Sequence, residues 1–538
     1  MHCFVNSVAK NFKLLFTNFK HYLIKSNCSM VRKAFVIISI ILVSTVILVS
    51  LFVTPIWWLF VILAPLVILG IYDMTQTKHA IRRNFPVIGN LRYILEGIRP
   101  EIMQYFVETD TEGRPFDRID RSLIYRRAKN VSDTSPFGTQ EDPYKDGYEW
   151  INHSMYAKSH HDYTIDTRVM IGEKKCKKPY SVSIYNISAM SFGSLSDRAV
   201  ESLNGGAKLQ NFAHNTGEGG VSPYHLKHGG DLIWQVGTGY FGCRNLDGTF
   251  SPEMFKKTAS APSIKMIEIK LSQGAKPGHG GILPASKNTP EIAKIRGVEP
   301  GKAVLSPPGH TAFTNPTEFM SFIKELRDLS GGKPVGFKLC IGVKKEFEDL
   351  CKAMLNTGIT PDYIAVDGGE GGTGAAPVEF ADSVGTPFLD GLAFVHDTLV
   401  KYSLRNQIKI SASGKIVSGF HIVRALAMGA DFCQSARGMM MALGCIQALQ
   451  CNTNTCPVGI ATQNKQLIKG LDVADKKQRV ASFHKKTLDS FSEILLAAGL
   501  TDKNELTRAH INHRIESNVI KTYEEMYPSL VYDKTQMQ

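Results

Sequence analysis

Val335-Gly-Phe-Lys-Leu339 and Tyr363-Ile-Ala-Val-Asp367 flank a helix-like run, Phe347–Asn356, and the second runs straight into Gly368-Gly-Glu-Gly-Gly-Thr-Gly374. Two short apolar runs joined by a helical stretch, the second ending in glycines, read as a β–α–β unit with parallel strands. The same alternation recurs on both sides. Upstream lie Ser181–Ser188, Ala213–Thr216, Leu232–Val236 and Met266–Leu271, then a helix over Pro316–Leu329. Downstream lie Ile408–Ser411 and Asp431–Ser435, with a helix over Gly419–Met428 between them. Eight such runs, most followed by Gly, Ser or Asn, predict an α/β fold of TIM type, a parallel (β/α)8 barrel. An open doubly wound sheet is the alternative. It ordinarily carries G-x-G-x-x-G after its first strand, which Ser191-Phe-Gly-Ser194 does not match.

Chemistry in such a barrel sits at the C-terminal strand ends. Those ends carry Ala189-Met190-Ser191, Asn215-Thr-Gly-Glu218-Gly-Gly220 and Gln273-Gly-Ala-Lys276-Pro-Gly278. Later strands end at Lys338, at Gly371-Gly372-Thr373 and at Ser413-Gly414-Lys415. Glycine runs let backbone N–H groups approach an anion or a flat ring. Phosphate in these barrels usually sits after strands seven and eight, where Gly414, Lys415 and Ala436-Arg437-Gly438 fall. A phosphate-bearing flavin fits that arrangement. Lys270 and Lys338, closing strands four and five, can then place positive charge beside the flavin N1/O2 edge.

Cys445, Cys451 and Cys456 are spaced C-x5-C-x4-C, and Pro457 follows the last. Three thiolates in one loop can converge on an iron–sulfur cluster that lacks one iron or takes a fourth ligand from elsewhere. A zinc site and three buried structural cysteines are the alternatives. The other seven (Cys3, Cys28, Cys176, Cys243, Cys340, Cys351, Cys433) form no disulfide framework and suit a reducing compartment.

Residues 34–72 contain no charged side chain. Ala34–Val53 is long enough to cross a bilayer and Ile56–Tyr72 can manage a second crossing, with Thr54-Pro55 as the break and Trp57 and Trp58 at the interface. Residues 1–33 form a basic leader with Lys10, Lys13, Lys20, Lys25, Arg32 and Lys33 and no acid, and Lys78, Arg82 and Arg83 follow the second segment. Basic flanks on both sides predict a hairpin anchor in a bacterial-type inner (plasma) membrane, with both termini and the barrel in the cytoplasm. Part of the formal charge of +13 belongs to that leader, where anionic lipid accounts for it. The body has no aromatic–basic stripe, so nucleic acid is excluded as a partner. Met30 is a second credible start.

The organisation expected is therefore a leader (1–33), a transmembrane hairpin (34–72) and a linker that covers the barrel (73–170). The barrel with its cysteine loop (171–464) and a polar helical extension (465–538) follow.

At Ile187-Ser-Ala-Met-Ser-Phe-Gly-Ser194, Asn215–Gly220 and Glu268–Gly278 the sequence resembles the FMN-binding synthase region of glutamate synthases. The likeness continues through Leu305-Ser-Pro-Pro308, Gly371–Ala375 and Cys456-Pro-Val-Gly-Ile-Ala-Thr462, over roughly residues 170–465. It is most similar to the stand-alone, membrane-anchored branch, and this likeness extends into Asn84–Asn90, Arg99–Ile102 and the stretch from Pro136 to Trp150. The resemblance implies FMN in a TIM-type barrel and a three-iron (3Fe-4S) cluster on Cys445, Cys451 and Cys456. It places the 2-oxoglutarate contacts on Glu218, Gln273, Lys276 and Arg296, and a flavin-side lysine at Lys270. Reduction of the imine of 2-oxoglutarate, or of a similar 2-oxo acid, with ammonia is the activity implied. A flavoprotein relay or scaffold without that activity, and a flavin oxidase on another small acid, are the alternatives. There are departures: no glutamine amidotransferase domain and no C-terminal β-helix are expected. His279 stands where many large enzymes have an acid, and Ser413-Gly-Lys415 replaces a double glycine preceded by Asp. With no pyridine-nucleotide fingerprint, the electron donor stays unidentified.

Overall fold

Runs rich in Val, Ile and Tyr close into a barrel of eight parallel strands. They are β1 (Tyr185–Ile187), β2 (His214–Asn215), β3 (Leu232–Val236), β4 (Ile264–Lys270), β5 (Val335–Leu339), β6 (Tyr363–Asp367), β7 (Lys409–Ser413) and β8 (Phe432–Ser435). β8 returns to pair with β1, Gln434 opposite Asn186, which completes the cylinder. Every residue of β3, β5 and β6 is buried, as expected of parallel strands covered on the outside by helices. Register matters for the site, because Lys270 at the end of β4 lies opposite Lys338 on β5. Asp367 of β6 likewise lies opposite Ser413 of β7.

The barrel interior is not wholly apolar. Glu268, fully buried, accepts hydrogen bonds from Asn215 Nδ2 at 2.7 Å and Gln235 Nε2 at 2.8 Å. Gln434 Nε2 donates to Ser411 Oγ at 3.1 Å. Amides from three strands thus meet a carboxylate from a fourth in one layer, and each satisfied bond removes a desolvation cost of about 1–3 kcal/mol.

One expected strand divides. Tyr180–Ser183 pairs antiparallel with Arg168–Ile171, and only Tyr185–Ile187 joins the barrel. Ile184 N donates to Thr167 O and Tyr185 N to Ser183 Oγ, so the chain changes partners at this point. Both halves are equally apolar, which hides the change from sequence pattern.

The structure, a computed structural model, describes residues 30–528. The region after 465 is helical as expected through the long helix Val473–Ala497, which packs on Asp197–Leu209. It then turns to β structure: Ile511–Glu516 pairs with Val519–Thr522 and with Glu149–Ile151. Glu149 is the hub of that junction. It takes hydrogen bonds from Arg424 Nη1 at 2.6 Å and from Tyr523, and lies 3.1 Å from His513 Nδ1.

The compact division of the chain falls after Glu108, so residues 73–108 go with the N-terminal helices and the barrel unit starts at Thr109. In the first unit, helix Met30–Ser50 stops ahead of Pro55, and a 3-10 turn over Thr54–Leu59 leads into helix Phe60–Thr75. Met30–Ser50 and Thr54–Thr75 are long and apolar enough to cross a membrane by length and composition. Most of the basic leader, Cys3 and Cys28 lie outside the described residues.

Candidate active site

The C-terminal ends of the strands surround a cavity of about 290 Å³. It is walled by the residues after β1 (Ala189, Met190, Ser191), by Glu218 after β2, and by Lys270, Gln273 and Lys276 at and after β4. Arg296, from the end of helix Pro290–Arg296, closes one side. Six of its wall residues, Ala189, Lys338, Asp367, Gly372, Ala436 and Arg437, also line a narrower recess of about 50 Å³ that reaches Gly371, Gly414 and Lys415. The two spaces therefore share one wall.

Glu218 Oε2 stands 3.0 Å from Lys270 Nζ, and Gln273 Oε1 accepts from the same ammonium. Burial works to raise the Glu218 carboxyl, but Lys270, with Arg296 and Lys276 behind it, outweighs burial and holds it below the usual range. A Cβ on Gly281 would lie 2.4 Å from Glu218 Oε1, so only glycine lets the backbone come so near. Lys276 Nζ donates to Ala375 O at 2.9 Å. Burial, and then repulsion by Lys270, pushes the Lys276 ammonium down to about 8. Arg296 is brought to about 10 by burial, against the pull of Glu218. Its Nη2 donates to Phe192 O at 3.1 Å and its plane lies 5.0 Å from the centre of the Phe241 ring, while buried Nε has no partner. Three cations thus gather at Glu218, while Asp367 on the shared wall is paired to Lys338, which leaves positive charge for a dianion.

In the recess, Lys338 is ion-paired to Asp367 at 3.0 Å, and Asp367 also accepts from Gly274 N. Burial depresses Lys415 and Arg437, and Arg437 repels Lys415 further. Lys415 holds φ at 51°, a left-handed conformation that costs a non-glycine residue of order 1 kcal/mol. A Cβ on Gly372 would come 2.7 Å from Arg437 Nε. Two half-buried cations in a glycine-walled recess suit a phosphate monoester, and the wider cavity beyond suits its planar ring. The residues present therefore fit FMN. Gly372→Ala should displace Arg437 and weaken FMN retention about 10- to 100-fold, the worth of one charge-assisted hydrogen bond. Fluorescence of released flavin checks this, with the melting temperature as the control for folding.

Asn215, expected beside the cofactor, does not line the cavity. Its amide is taken by Glu268 below, and its Oδ1 accepts from Gly217 N at 3.1 Å, so it supports the floor. Thr373 does reach the cavity wall. His279 is not on that wall and packs edge-on to Phe380.

Of the three loop cysteines, Cys451 lines the cavity, Cys445 is half-buried and Cys456 buried. Burial pushes the Cys445 thiol to about 11, and Cys451 and Cys456 each add to the rise, so the three share one neighbourhood. Among the described residues no three His, Cys, Asp or Glu side chains close around a single metal ion. The loop backbone is constrained: Gln447, Leu449 and Asn454 all have positive φ, and the Gln447 amide is clasped by the backbone of Arg114 and Phe116.

Two functional candidates escaped sequence reading. Lys287 is buried and donates to the carbonyls of Cys451 at 2.7 Å, Ala461 at 2.8 Å and Ser194 at 3.2 Å, tying the cysteine loop to the strand-end loop after β1. His310, held neutral by burial that brings it to about 4, sits between Tyr240 Oη and Lys270 O and fixes the end of β4. A single histidine against a tyrosine hydroxyl and a strand-end carbonyl carries no motif, and a loop lysine ordinarily reads as solvated.

A family model described as "Conserved region in glutamate synthase" matches residues 129–501. The chain belongs to the glutamate synthase family. Within the family it is similar to the glutamate synthase large subunit-like protein YerD of Bacillus subtilis, 41% identical over 489 residues, covering 84% of this chain and 93% of that one. It is 34% identical over 323 residues to the archaeal glutamate synthase [NADPH] of Methanocaldococcus jannaschii, with 60% of each chain covered. The glutamate synthase [NADPH] large chain of Bacillus subtilis is also 34% identical, over 296 residues, but only 18% of its length is covered. Family membership makes the chain an oxidoreductase of glutamate synthase type.

Proposed function

We propose that this chain binds FMN and reduces the imine of 2-oxoglutarate, or of a similar 2-oxo acid, to the amino acid, with ammonia as the nitrogen source. The observation that carries the reading is the charge at the cavity: Lys270, Lys276 and Arg296 gather around the carboxylate of Glu218, while Asp367 on the shared wall is neutralised by Lys338. A dicarboxylate completes that balance, with Arg296 and Lys276 as the groups that grip it. Ser191, Gln273 and Thr373 border the same space and can orient it. Bound FMN would supply the two-electron reduction, and Lys270 would set positive charge at its edge. The phosphate would rest on Lys415, Arg437 and the glycines at 371, 372 and 414.

Cys445, Cys451 and Cys456 are proposed to hold a 3Fe-4S cluster that receives electrons from a separate donor. Their shared neighbourhood beside the cavity supports this, as does Lys287, whose charge would offset that of a thiolate-bound cluster. The two long apolar helices and the basic flanks support anchoring in a bacterial-type plasma membrane, with the barrel in the cytoplasm. A relay or scaffold has no use for a dicarboxylate clamp, so the clamp favours the enzyme.

Titration of the purified chain with 2-oxoglutarate, followed in the flavin spectrum, tests the reading. Saturable perturbation is expected, and a spectrum indifferent to 2-oxoglutarate would overturn it. The pH dependence has a definite sign. Lys276, brought to about 8 by burial, is charged below that pH and neutral above it. Affinity for the dianion should be level up to about pH 7, fall by up to about tenfold per pH unit once the lysine of the free protein loses its proton near 8, and level off above the higher pKa that the bound dianion gives it. Lys276→Met should flatten that profile. An unchanged Kd from pH 7 to pH 10 in the unsubstituted protein would remove Lys276 from the grip.

A further inference from the structure

The segment after the second apolar helix carries an apolar surface of another kind. Helix Gly89–Ile102 sets Leu91, Ile94, Leu95, Ile98 and Ile102 at three- and four-residue intervals, which places them on one face. All five are exposed, Ile94 to 58%. Arg92, Glu96 and Arg99 run along one flank of that face, with Arg92 and Glu96 paired at 2.9 Å. The apolar face runs on into the π-helical turn Met103–Val107, where Phe106 is 84% exposed.

This helix is tied to the end of the apolar one before it. Asp73, buried in the last turns of Phe60–Thr75, accepts from Val87 N at 2.9 Å and Asn90 Nδ2 at 2.6 Å. Arg82 lies 4.3 Å over the Tyr93 ring, and the His79 ring is 4.8 Å from it. The apolar face therefore cannot travel far from where the second span ends. Its surroundings are basic, with Lys78, Arg82, Arg83, Arg92 and Arg99 against Glu96, Glu101 and Glu108. A strongly two-faced helix with cations on the polar side and an aromatic at one end matches the headgroup–acyl boundary of a bilayer. A water-facing position would leave the five aliphatic side chains exposed at about 25 cal/mol per Å².

We propose that helix Gly89–Ile102 lies in the interface of the same bilayer that takes the two apolar helices. Its aliphatic face meets the acyl chains and its cations meet anionic phosphates. The inference rests on the membrane anchoring proposed above.

The test uses the full chain in vesicles of phosphatidylcholine and phosphatidylglycerol, with a benzophenone amino acid replacing Ile94, Ile98 or Ile102, or Arg92 or Glu96. Lipid adducts are expected at the three isoleucine positions, at least about fivefold above the other two. Equal yields at all five, or adducts to protein at the isoleucine positions, overturn the proposal. An alkaline wash of the same vesicles separates the two ideas. A chain that stays in the pellet without lipid adducts on the aliphatic face overturns the interfacial helix and leaves the anchor standing. A chain released into the supernatant overturns both.

Discussion

Arg296→Leu is expected to raise the Kd for 2-oxoglutarate about 100-fold or more while FMN stays bound. Two effects add. The substrate loses a guanidinium whose buried Nε has no partner within the protein, and Glu218 loses one of the cations that hold it ionised. Breaking one partner of a buried charged set costs about 3–5 kcal/mol, and each 1.4 kcal/mol is tenfold in affinity. Arg296→Lys should recover little, since an ammonium cannot reproduce the guanidinium fork or its stacking on Phe241. The flavin should be spared because Arg296 does not line the recess of Lys415 and Arg437. Equal 2-oxoglutarate affinities for the variant and the unsubstituted protein would remove the clamp from the cavity. Loss of flavin in step with substrate binding would instead mean collapse of the whole mouth.

Serine at Cys445, Cys451 or Cys456 should abolish bound iron and acid-labile sulfide, since each thiolate is about a third of the protein's ligation to a three-iron cluster. Serine at Cys433 or Cys340 should leave both intact. Cys433 is fully buried within β8 and Cys340 is buried at the residue after β5, its thiol near the carbonyls of Ile341 and Thr386. Metal and sulfide analysis of the five variants decides the matter. Zinc in the unsubstituted protein, or iron kept by the triple serine variant, would sink the cluster and leave the barrel to take electrons directly.

The barrel was legible in the sequence wherever a strand is buried on both faces. β3, β5 and β6 form over the residues that their apolar runs mark, because burial on both sides leaves each run mostly apolar, with Gln235 and Lys338 partnered by Glu268 and Asp367. It was illegible where two apolar pieces with different partners adjoin, as at Ser183 to Tyr185. The cavity was readable as a set of strand ends, and Glu218, Lys270, Gln273, Lys276 and Arg296 do meet. Asn215 misleads because an amide next to a glycine turn looks like a ligand group, whereas Glu268 claims it through a contact no local pattern announces. Lys287 stayed hidden for the converse reason: its three carbonyl partners, Ser194 in one loop and Cys451 and Ala461 in another, all lie far from it in sequence. The late hairpin, residues 511–522, was unreadable because it is completed by a third strand far away in sequence, Glu149–Ile151.

That last pairing also bears on how the protein is made. His513 follows Glu149 by 364 positions, so at about 5–20 residues per second a ribosome needs roughly 20–70 s to supply the partner. Throughout that interval the short strand beside Glu149 is an open edge, and the carboxylate lacks the tyrosine and imidazole that later surround it. The apolar helices have by then long emerged. A nascent chain therefore waits, tethered at one end, with an unpaired edge near the start of its barrel. Shortening the chain ahead of residue 511 would make that waiting state permanent, and its natural fate is capture by a chaperone or edge-to-edge association with a neighbouring nascent chain.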